Sequence, residues 1–500
     1  MRRLPLVRLL FAVLALPACV SVPRRPPTPT LAAVADALFD SVEAEGTGVG
    51  VLVVDAATGA PLYARHEQVR SLPASTMKVV STAAALSAFG PDFRFHTPVW
   101  LEGAHLGNLF LGDLVVEASG DPSLGSWRFP ETALACDRLA DALLARGIRQ
   151  WHGSLRVLHA NPGPYDLYGP GWAWDDAASA YGAAPTAFVF RENVVDLTLA
   201  RPEGPARPGL PPRPVDVRYD PPIDASATVV YSDPDAQRAG VGCVRERGTG
   251  RTRCIWRAPG GQLPRQASLL LSVDDPEALF SACLEDALAI RGLWHVPVPP
   301  DNNRPAPTVL QREALLDFVS PSLAELVKAT NKESLNLYAE RLALRFTRER
   351  TGRESYAALR EAMEQELARR DIPPRLLRSV DGSGLSRYNL ATARGMVRVL
   401  ATSLQEPSAS ALVDSLPIAG VDGTLAGSAL PAALRGLVRA KTGTLSGQKA
   451  YVGIAERPHD AKHPRVLFAL LLGNLDEKPA RTAGQVFEHF AEAMVTLPPR

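Results

Sequence analysis

The sequence predicts an α+β protein whose main domain is split in two by a large β-rich insert. Apolar residues recur at helical spacing near both ends of the 500-residue chain, with strand-like runs beside them. Between about Phe95 and Pro307 the pattern changes to short strand-like runs separated by prolines and glycines. A chain of this length holds two or three domains, and an insert of roughly 200 residues has the size of one or two.

These changes in pattern set the predicted domain limits. The main domain is expected to take residues 31–95 and 307–500, and the insert residues 96–306, with a nested β unit at about 201–263. The first part begins with an amphipathic helix at 31–43, then a hairpin in GVGVLVVDAATGAPLYARH and a helix in STMKVVSTAAAL. After the insert, helices are expected from Ala314, followed by strands in LVRAKTGTL and RVLFALLLGN and a closing helix.

The N-terminus has the pattern of an export signal over residues 1–19. Three arginines precede a short apolar run and then small residues, and the run is too short to span a membrane. The sequence LPAC resembles a bacterial lipobox, so lipidation of Cys19 and plain secretion after cleavage near this point both stay open. Residues 20–30, which contain VPRRPPTP, predict a stiff tether.

Charge and composition narrow the class of partner. The formal net charge is +1, and no basic stretch is interleaved with aromatic residues, which argues against nucleic acid as the main partner. Only seven of the 54 basic residues are lysines, so each lysine in a motif is informative.

Cysteine usage fits an oxidising compartment, because four cysteines remain when Cys19 is set aside. Cys243 and Cys254 flank a turn-rich segment and can bridge locally. Cys136 and Cys283 lie in two similar helix-like segments, PETALACDRLADALLARG and PEALFSACLEDALAIRG, which look like an internal duplication. These two cysteines can face each other or remain buried thiols, and the sequence leaves both open.

Ser75 and Lys78 form the first candidate pair for chemistry. They lie three residues apart in a helical pattern, so they share a helix face, and a buried amine there can reach the hydroxyl. The alternative is that Ser75 caps a helix. Ser446 and Lys449 have the same spacing, but they lead into a strand, where residues three apart point to opposite faces.

Two further motifs follow in the second half of the chain. Ser334 and Asn336, in TNKESLNLYAERL, can offer a hydroxyl and an amide to one point, or can cap a helix. Lys441-Thr442-Gly443, in VRAKTGTLSG, presents a cation and a hydroxyl on a strand, and Gly443 lets a ligand approach the backbone. Such an edge is suited to binding a carboxylate.

Together the three motifs resemble those of penicillin-binding proteins and serine β-lactamases. The longer stretches GDLVVEASGDPSL, DGSGLSRYN and LPIAGVDGTL…VRAKTGTL resemble the low-molecular-mass class C penicillin-binding proteins, which are periplasmic D-alanyl-D-alanine carboxypeptidases and endopeptidases. That family carries a large insert between its first two motifs, whereas the compact β-lactamases do not. The resemblance implies a penicillin-binding, β-lactamase-like main domain, peptidoglycan stem peptides as substrates, β-lactams as inhibitors, and no cofactor or metal.

The resemblance also implies a role for each motif residue. Ser75 attacks the carbonyl between the two terminal D-alanines and forms an acyl-enzyme, with Lys78 as its base. Burial and the charge of Lys441 are expected to lower the pKa of Lys78. Ser334 passes a proton to the leaving amine, and Asn336 holds Lys78 and the substrate.

At the strand motif, Lys441 and Thr442 bind the terminal carboxylate and Gly443 gives access to the backbone. The backbone N–H groups of Ser75 and Thr444 form the oxyanion hole. Water then hydrolyses the ester, and no base is assigned for that step.

A tryptophan-rich segment in the insert, GWAWDDAASAYGA, resembles the family's segment near the diamino acid of the stem peptide. Asp176 is therefore expected to pair with the ammonium group of that residue, the alternative being a turn or cap aspartate. Arg387 either lines the cleft or fixes a glycine-rich turn.

A β-lactamase, a catalytically silent wall-binding protein and a promiscuous esterase are the rival functions. The balance between carboxypeptidase and endopeptidase stays open.

Overall fold

The structure of the protein is a computed structural model that describes residues 29–159, 167–201, 216–221, 228–233, 240–245, 252–257, 265–298, 311–476 and 482–499. The predicted signal at 1–19, the candidate lipidation site Cys19 and most of the predicted tether lie outside these residues. None of the described helices is long and apolar enough to cross a membrane.

The described elements confirm an α+β fold. The helices are α1 Leu31–Glu43, α2 Met77–Phe89, α3 Pro130–Ala133, α4 Ala135–Ala145, α5 Pro276–Ile290, α6 Leu323–Glu333, α7 Asn336–Thr351, α8 Tyr356–Arg369, α9 Ala393–Ser403, α10 Ala409–Ser415 and α11 Ala483–Thr496. The strands are β1 Gly48–Asp55, β2 Pro61–Arg65, β3 His96–Leu106, β4 Leu109–Ala118, β5 Gln150–Gly153, β6 Leu155–His159, β7 Val194–Ala200, β8 Asp216–Asp220, β9 Thr228–Asp233, β10 Gly240–Arg245, β11 Thr252–Arg257, β12 Gln266–Ser272, β13 Trp294–Pro297, β14 Gln311–Val319, β15 Leu377–Arg378, β16 Leu390–Ala391, β17 Val438–Leu445, β18 Gln448–Glu456 and β19 Arg465–Gly473.

The main sheet combines strands from both ends of the chain. It has five antiparallel strands in the order β17-β18-β19-β1-β2, so the predicted hairpin β1-β2 pairs through β1 with a strand more than 400 residues later in the chain. Eight of the nine residues of β19 are buried, which explains its nearly unbroken apolar sequence. Helices α1 and α11 pack on one face around Phe39 and Phe490. The edge strand β17 carries the Lys-Thr-Gly motif.

Helix α2, which follows Ser75, is the centre of the helical layer on the other face of the sheet. Its first ten residues are all buried, and it packs against α6, α7 and α9. A helix buried on all sides needs small residues where its neighbours come close, which accounts for the run of alanines at 83–85. The nucleophile candidate therefore precedes one of the most enclosed helices in the molecule.

The insert has a separate apolar core and several sheets. Strands β3, β4, β5, β6, β13 and β14 form one sheet, β7, β8 and β12 a second, and β9, β10 and β11 a third. Helices α4 and α5 pack together, and the strand after each one, β5 or β13, pairs in parallel with the other. This arrangement supports the internal duplication seen in the sequence.

Both cysteine pairs form disulfides. Cys136 on α4 is bonded to Cys283 on α5, and Cys243 on β10 is bonded to Cys254 on β11. The first bridge joins the two duplicated helices, and the second closes a local hairpin.

Sheet membership differs from the predicted sequence limits at two places. The prediction that helices begin again at Ala314 is wrong, because residues 311–319 form β14, which pairs antiparallel with β3 of the insert. Helices begin again at Leu323. Within the insert, β8 falls inside the predicted nested unit but pairs with β7, which lies before it.

Candidate active site

Ser75 lies in a single turn of 3-10 helix at Ala74–Thr76 that leads directly into α2. Neither the turn nor α2 has a side-chain cap hydrogen bond at its start, so Ser75 is not a helix cap. The residue before it, Ala74, has a left-handed backbone with φ of 48°. Ser75 is partly exposed, whereas Ala74 and Thr76 on either side of it are buried.

Lys78 is fully buried directly beneath this hydroxyl. Its Nζ lies 2.8 Å from Ser75 Oγ, 2.5 Å from Asn336 Oδ1 and 2.8 Å from the carbonyl oxygen of Ser383. The amide and carbonyl oxygens can only accept hydrogen bonds, whereas the serine hydroxyl can accept or donate. A neutral amine therefore satisfies this site completely: its two N–H bonds go to the two oxygens, and its lone pair faces the hydroxyl.

Burial lowers the pKa of Lys78 from 10.5 to about 7, and the carboxylates of Asp381 and Glu340 act in the opposite direction. Burial and the positive charge of Lys78 hold the pKa of Lys441 well below its ordinary value. The expected effect of Lys441 on the pKa of Lys78 stays a prediction. A substantial fraction of Lys78 is thus neutral near pH 7.

Ser334 and Asn336 occupy the break between α6 and α7. Ser334 ends α6 with a left-handed φ of 62°, and Asn336 is the first residue of α7. Neither side chain makes a cap hydrogen bond. The amide nitrogen of Asn336 donates to the carbonyl oxygen of Tyr181 at 2.7 Å, which fixes Oδ1 toward Lys78.

The strand motif faces Ser334 from the opposite wall. Lys441 Nζ is fully buried and donates to Ser334 Oγ at 3.0 Å. Thr442 Oγ1 donates to Thr424 Oγ1 at 2.8 Å. A Cβ placed on Gly443 would lie 3.1 Å from the backbone nitrogen of Ser75, so β17 passes immediately beside the start of the nucleophile turn. The neighbouring Thr444 is exposed.

Lys449, the second lysine with a serine three residues before it, is not part of a serine–lysine pair in this arrangement. Its Nζ donates to Thr444 Oγ1 at 2.7 Å, across the strand pair β17-β18.

The loop at 381–386 forms the floor beneath Lys78. Glu340, one turn after Asn336 on α7, accepts hydrogen bonds from the backbone nitrogens of Gly382 and Ser383. Asp381 accepts from the backbone nitrogens of residues 384 and 386 and from two side chains. Burial, together with the charge of Asp381, raises the pKa of Glu340. The loop in turn supplies the Ser383 carbonyl to Lys78.

Asp176 lies in the predicted tryptophan-rich segment, is buried, and has a carboxylate that already has partners. Arg387 Nη1 donates to Asp176 Oδ2 at 3.0 Å, and the Tyr181 hydroxyl donates to Oδ1 at 3.0 Å. Arg387 also donates to the carbonyl oxygen of Leu385, so it links the insert to the glycine-rich turn. The structure thus brings Asp176 close to the site through Tyr181, whose carbonyl holds Asn336.

Several residues that shape the site were not identified from the sequence. Glu340 was missed although its spacing of four residues from Asn336 on one helix was available as a signal. The Ser383 carbonyl is a backbone atom and carries no side-chain signature. Among the described residues, no cluster of three or more histidine, cysteine or acidic side chains is arranged to hold a metal ion.

The site combines a serine hydroxyl in contact with a buried lysine, a Ser-x-Asn motif between two helices and a Lys-Thr-Gly motif on a strand. This combination defines an active-site serine enzyme of the acyl-transfer class. The family model for D-Ala-D-Ala carboxypeptidase 3 (S13) matches residues 30–494. The chain belongs to this family.

Known proteins agree with this assignment. The chain is 33% identical over 450 residues to a D-alanyl-D-alanine carboxypeptidase of Actinomadura sp. (strain R39), covering 85% of this chain and 78% of that protein. The fold is that of penicillin binding protein 4 from Haemophilus influenzae, with a TM-score of 0.73, 22% identity, and coverage of 91% and 98% of the two chains. A second structure of that protein, in complex with a novel β-lactam, has a TM-score of 0.70 at 22% identity, with coverage of 92% and 99%.

Proposed function

We propose that this chain is a serine D-alanyl-D-alanine carboxypeptidase that acts on peptidoglycan stem peptides through an acyl-enzyme on Ser75, and that β-lactams acylate the same serine. The observation that carries the proposal is the 2.8 Å contact between Ser75 Oγ and the fully buried Nζ of Lys78. Family membership supports the reaction, and the named relatives support the substrate and inhibitor class.

In the acylation step, neutral Lys78 takes the proton of Ser75 as the oxygen attacks the carbonyl carbon of the terminal peptide bond. The developing oxyanion is held by the backbone N–H groups of Ser75 and Thr444. The close approach of Gly443 to the backbone nitrogen of Ser75 supports this pairing. The N-terminal end of α2, which directly follows the turn that contains Ser75, adds a favourable dipole.

In the same step, the proton that Lys78 took from Ser75 is passed through the Ser334 hydroxyl to the departing amine of D-alanine, and Lys441, whose Nζ lies 3.0 Å from Ser334 Oγ, orients that hydroxyl. Lys441 and Thr442 are also the ligands for the terminal carboxylate of the substrate. Water then hydrolyses the acyl-enzyme and completes the carboxypeptidase reaction.

The deciding experiment measures intact mass after incubation with benzylpenicillin, for the wild type and for Ser75→Ala. One adduct per chain on the wild type, absent from the variant, is expected. Rapid turnover of nitrocefin without an accumulating adduct would favour a β-lactamase. Neither adduct nor β-lactam hydrolysis would refute the proposal and favour a silent wall-binding protein.

The choice of substrate is proposed to involve Asp176, which pairs with the ammonium group of the stem-peptide diamino acid. Its carboxylate would bind the ammonium group while it also accepts hydrogen bonds from Arg387 and Tyr181. Asp176→Asn is expected to raise KM for a substrate with a free side-chain ammonium and to leave KM for the N-acetylated substrate unchanged. Equal effects on both substrates would contradict this role.

The proposed location is the periplasm, with lipidation of Cys19 and plain secretion after cleavage as the two alternatives for the N-terminus. The two disulfides support export to an oxidising compartment. The mass of the mature N-terminus distinguishes a diacylglyceryl Cys19 from a simple cleaved end.

Cleavage of cross-linked muropeptides, measured beside D-alanine release, tests the further proposal of endopeptidase activity.

A further inference from the structure

The insert contains an unusual backbone turn close to the Ser-x-Asn motif. Arg191, Glu192 and Asn193 are three consecutive non-glycine residues with left-handed φ angles of 50°, 58° and 54°. Left-handed backbone is unfavourable for residues that carry a Cβ, and a run of three persists only when the surroundings enforce it.

Specific hydrogen bonds hold this turn. The side chain of Asn193 accepts from the backbone nitrogen of Phe190 at 3.0 Å and donates to the carbonyl oxygen of Ala184 at 2.9 Å. The backbone nitrogen of Arg191 donates to the carbonyl oxygen of Leu124 at 3.0 Å. Hydrogen bonds within the insert therefore hold the strained backbone of this turn. The backbone conformation in turn sets the direction of the middle side chain.

That middle side chain, Glu192, lies where the insert contacts the main domain: Ser126 and Arg128 belong to the insert and Tyr338 to the main domain. Its Oε1 accepts from Ser126 Oγ at 2.7 Å and from Arg128 Nε at 2.8 Å, and the hydroxyl of Tyr338 lies 3.1 Å away. Glu192 and Tyr338 are both buried. A buried carboxylate with three donors is fixed in position, because losing any donor leaves it without its compensating hydrogen bonds.

Glu192 is connected to the chain on both sides of the Ser-x-Asn motif, directly through Tyr338 and indirectly through Arg128. Tyr338 is on α7, two residues after Asn336. Arg128 also forms an ion pair with Glu333, the residue directly before Ser334. The Glu192 carboxylate therefore helps to hold Glu333 and Tyr338, one on each side of Ser334 in the chain.

We infer that Glu192 is a positioning residue: it fixes the turn at 333–338 so that the Ser334 hydroxyl meets Lys441 and the Asn336 amide meets Lys78. This role rests on the proposed function of those motif residues. A small displacement of a proton-transfer group is enough to slow the chemical step, because reacting groups must be held within a fraction of an ångström.

The test compares Glu192→Gln with Glu102→Gln. Glu102 is a matched control, since it is another insert glutamate and is paired with Arg156 and Arg312, away from the motifs. Each variant is titrated with benzylpenicillin to give the fraction that becomes acylated, and the acylation rate constant is measured separately by quenched mass spectrometry. For Glu192→Gln we expect full acylation but a rate constant reduced by about tenfold or more, with wild-type behaviour for Glu102→Gln.

A merely structural role would give a different result, in which the fraction of active enzyme falls and the rate constant of the remaining active enzyme is unchanged. That outcome, or a wild-type rate constant, would overturn the inference. Tyr338→Phe removes one hydroxyl and provides the test if Glu192→Gln does not fold; it is expected to lower kcat for D-alanine release with little change in KM. Absence of acylation in the wild type would refute the proposed function instead.

Discussion

At the scale of single residues, the proposed base Lys78 gives acylation an expected pH dependence. Burial lowers its pKa to about 7, so the neutral form that is proposed to accept the proton of Ser75 is lost as the pH falls below that value. The acylation rate constant is therefore expected to level off above pH 7 and to be about thirtyfold lower at pH 5.5. A pH profile of benzylpenicillin acylation measures this, and a flat profile between pH 5.5 and 8.5 would contradict it.

Lys78→Arg tests the same proton transfer by a different route. A guanidinium group stays protonated in proteins and cannot act as a base, although it keeps the positive charge and can still donate hydrogen bonds. We expect acylation to fall by about a hundredfold or more, since general-base catalysis is worth about that much. Lys462→Arg is the control, because Lys462 is exposed in the turn between β18 and β19. Comparable losses in both variants would argue against a specific base.

At the scale of elements, the glycine-rich loop at 381–386 must approach the nucleophile turn very closely. A Cβ on Gly384 would lie 1.9 Å from the carbonyl oxygen of Ala74, and Gly384 has a φ of 90°. Gly384→Ala is therefore expected to push the loop away from Ser75 and to withdraw the Ser383 carbonyl from Lys78. Acylation should fall by at least about a hundredfold, as for other displacements of reacting groups.

Gly46 provides the control for this substitution. It has the same φ of 90°, but a Cβ added there would meet no atom within 4 Å. Gly46→Ala thus carries the backbone penalty without the steric clash, and we expect it to lose some thermal stability while keeping the wild-type acylation rate. Equal acylation by the two variants would show that the loop tolerates the displacement.

The same elements show how far the sequence was informative. Ser75, Lys78 and the Lys441 motif were found because their chemistry depends on residue types at fixed local spacing, which helix and strand geometry convert into position. Glu192 was not found, because its contact with Tyr338 joins residues 146 apart and depends on how the insert packs. Strand β14 was predicted as helix, since EALLDFV suits either state and only pairing with β3 decides.

At the scale of the whole molecule, the insert is part of the active site. Its tryptophan-rich segment supplies the Tyr181 carbonyl to Asn336, and Trp172 donates to Asp381 at 3.0 Å. Glu192 reaches Tyr338 from a different part of the insert. Through these contacts the insert touches residues that we propose to take part in proton transfer. The site itself is formed by the two halves of the main domain.

The two disulfides stabilise this insert to different degrees, and their loop lengths give the order. Cys136 and Cys283 are 147 residues apart and join α4 to α5, whereas Cys243 and Cys254 are 11 residues apart. The chain-entropy model gives about 5 kcal/mol for the long loop and about 3 kcal/mol for the short one, because the longer loop restricts the unfolded chain more.

Urea unfolding of the Cys136→Ala/Cys283→Ala and Cys243→Ala/Cys254→Ala variants measures the two losses. We expect the first variant to be the less stable, and both to keep full acylation by benzylpenicillin under native conditions, since both bridges lie within the apolar core of the insert, apart from the motif residues. The opposite order of stability would mean that packing around β10 and β11 outweighs the restriction of the unfolded chain.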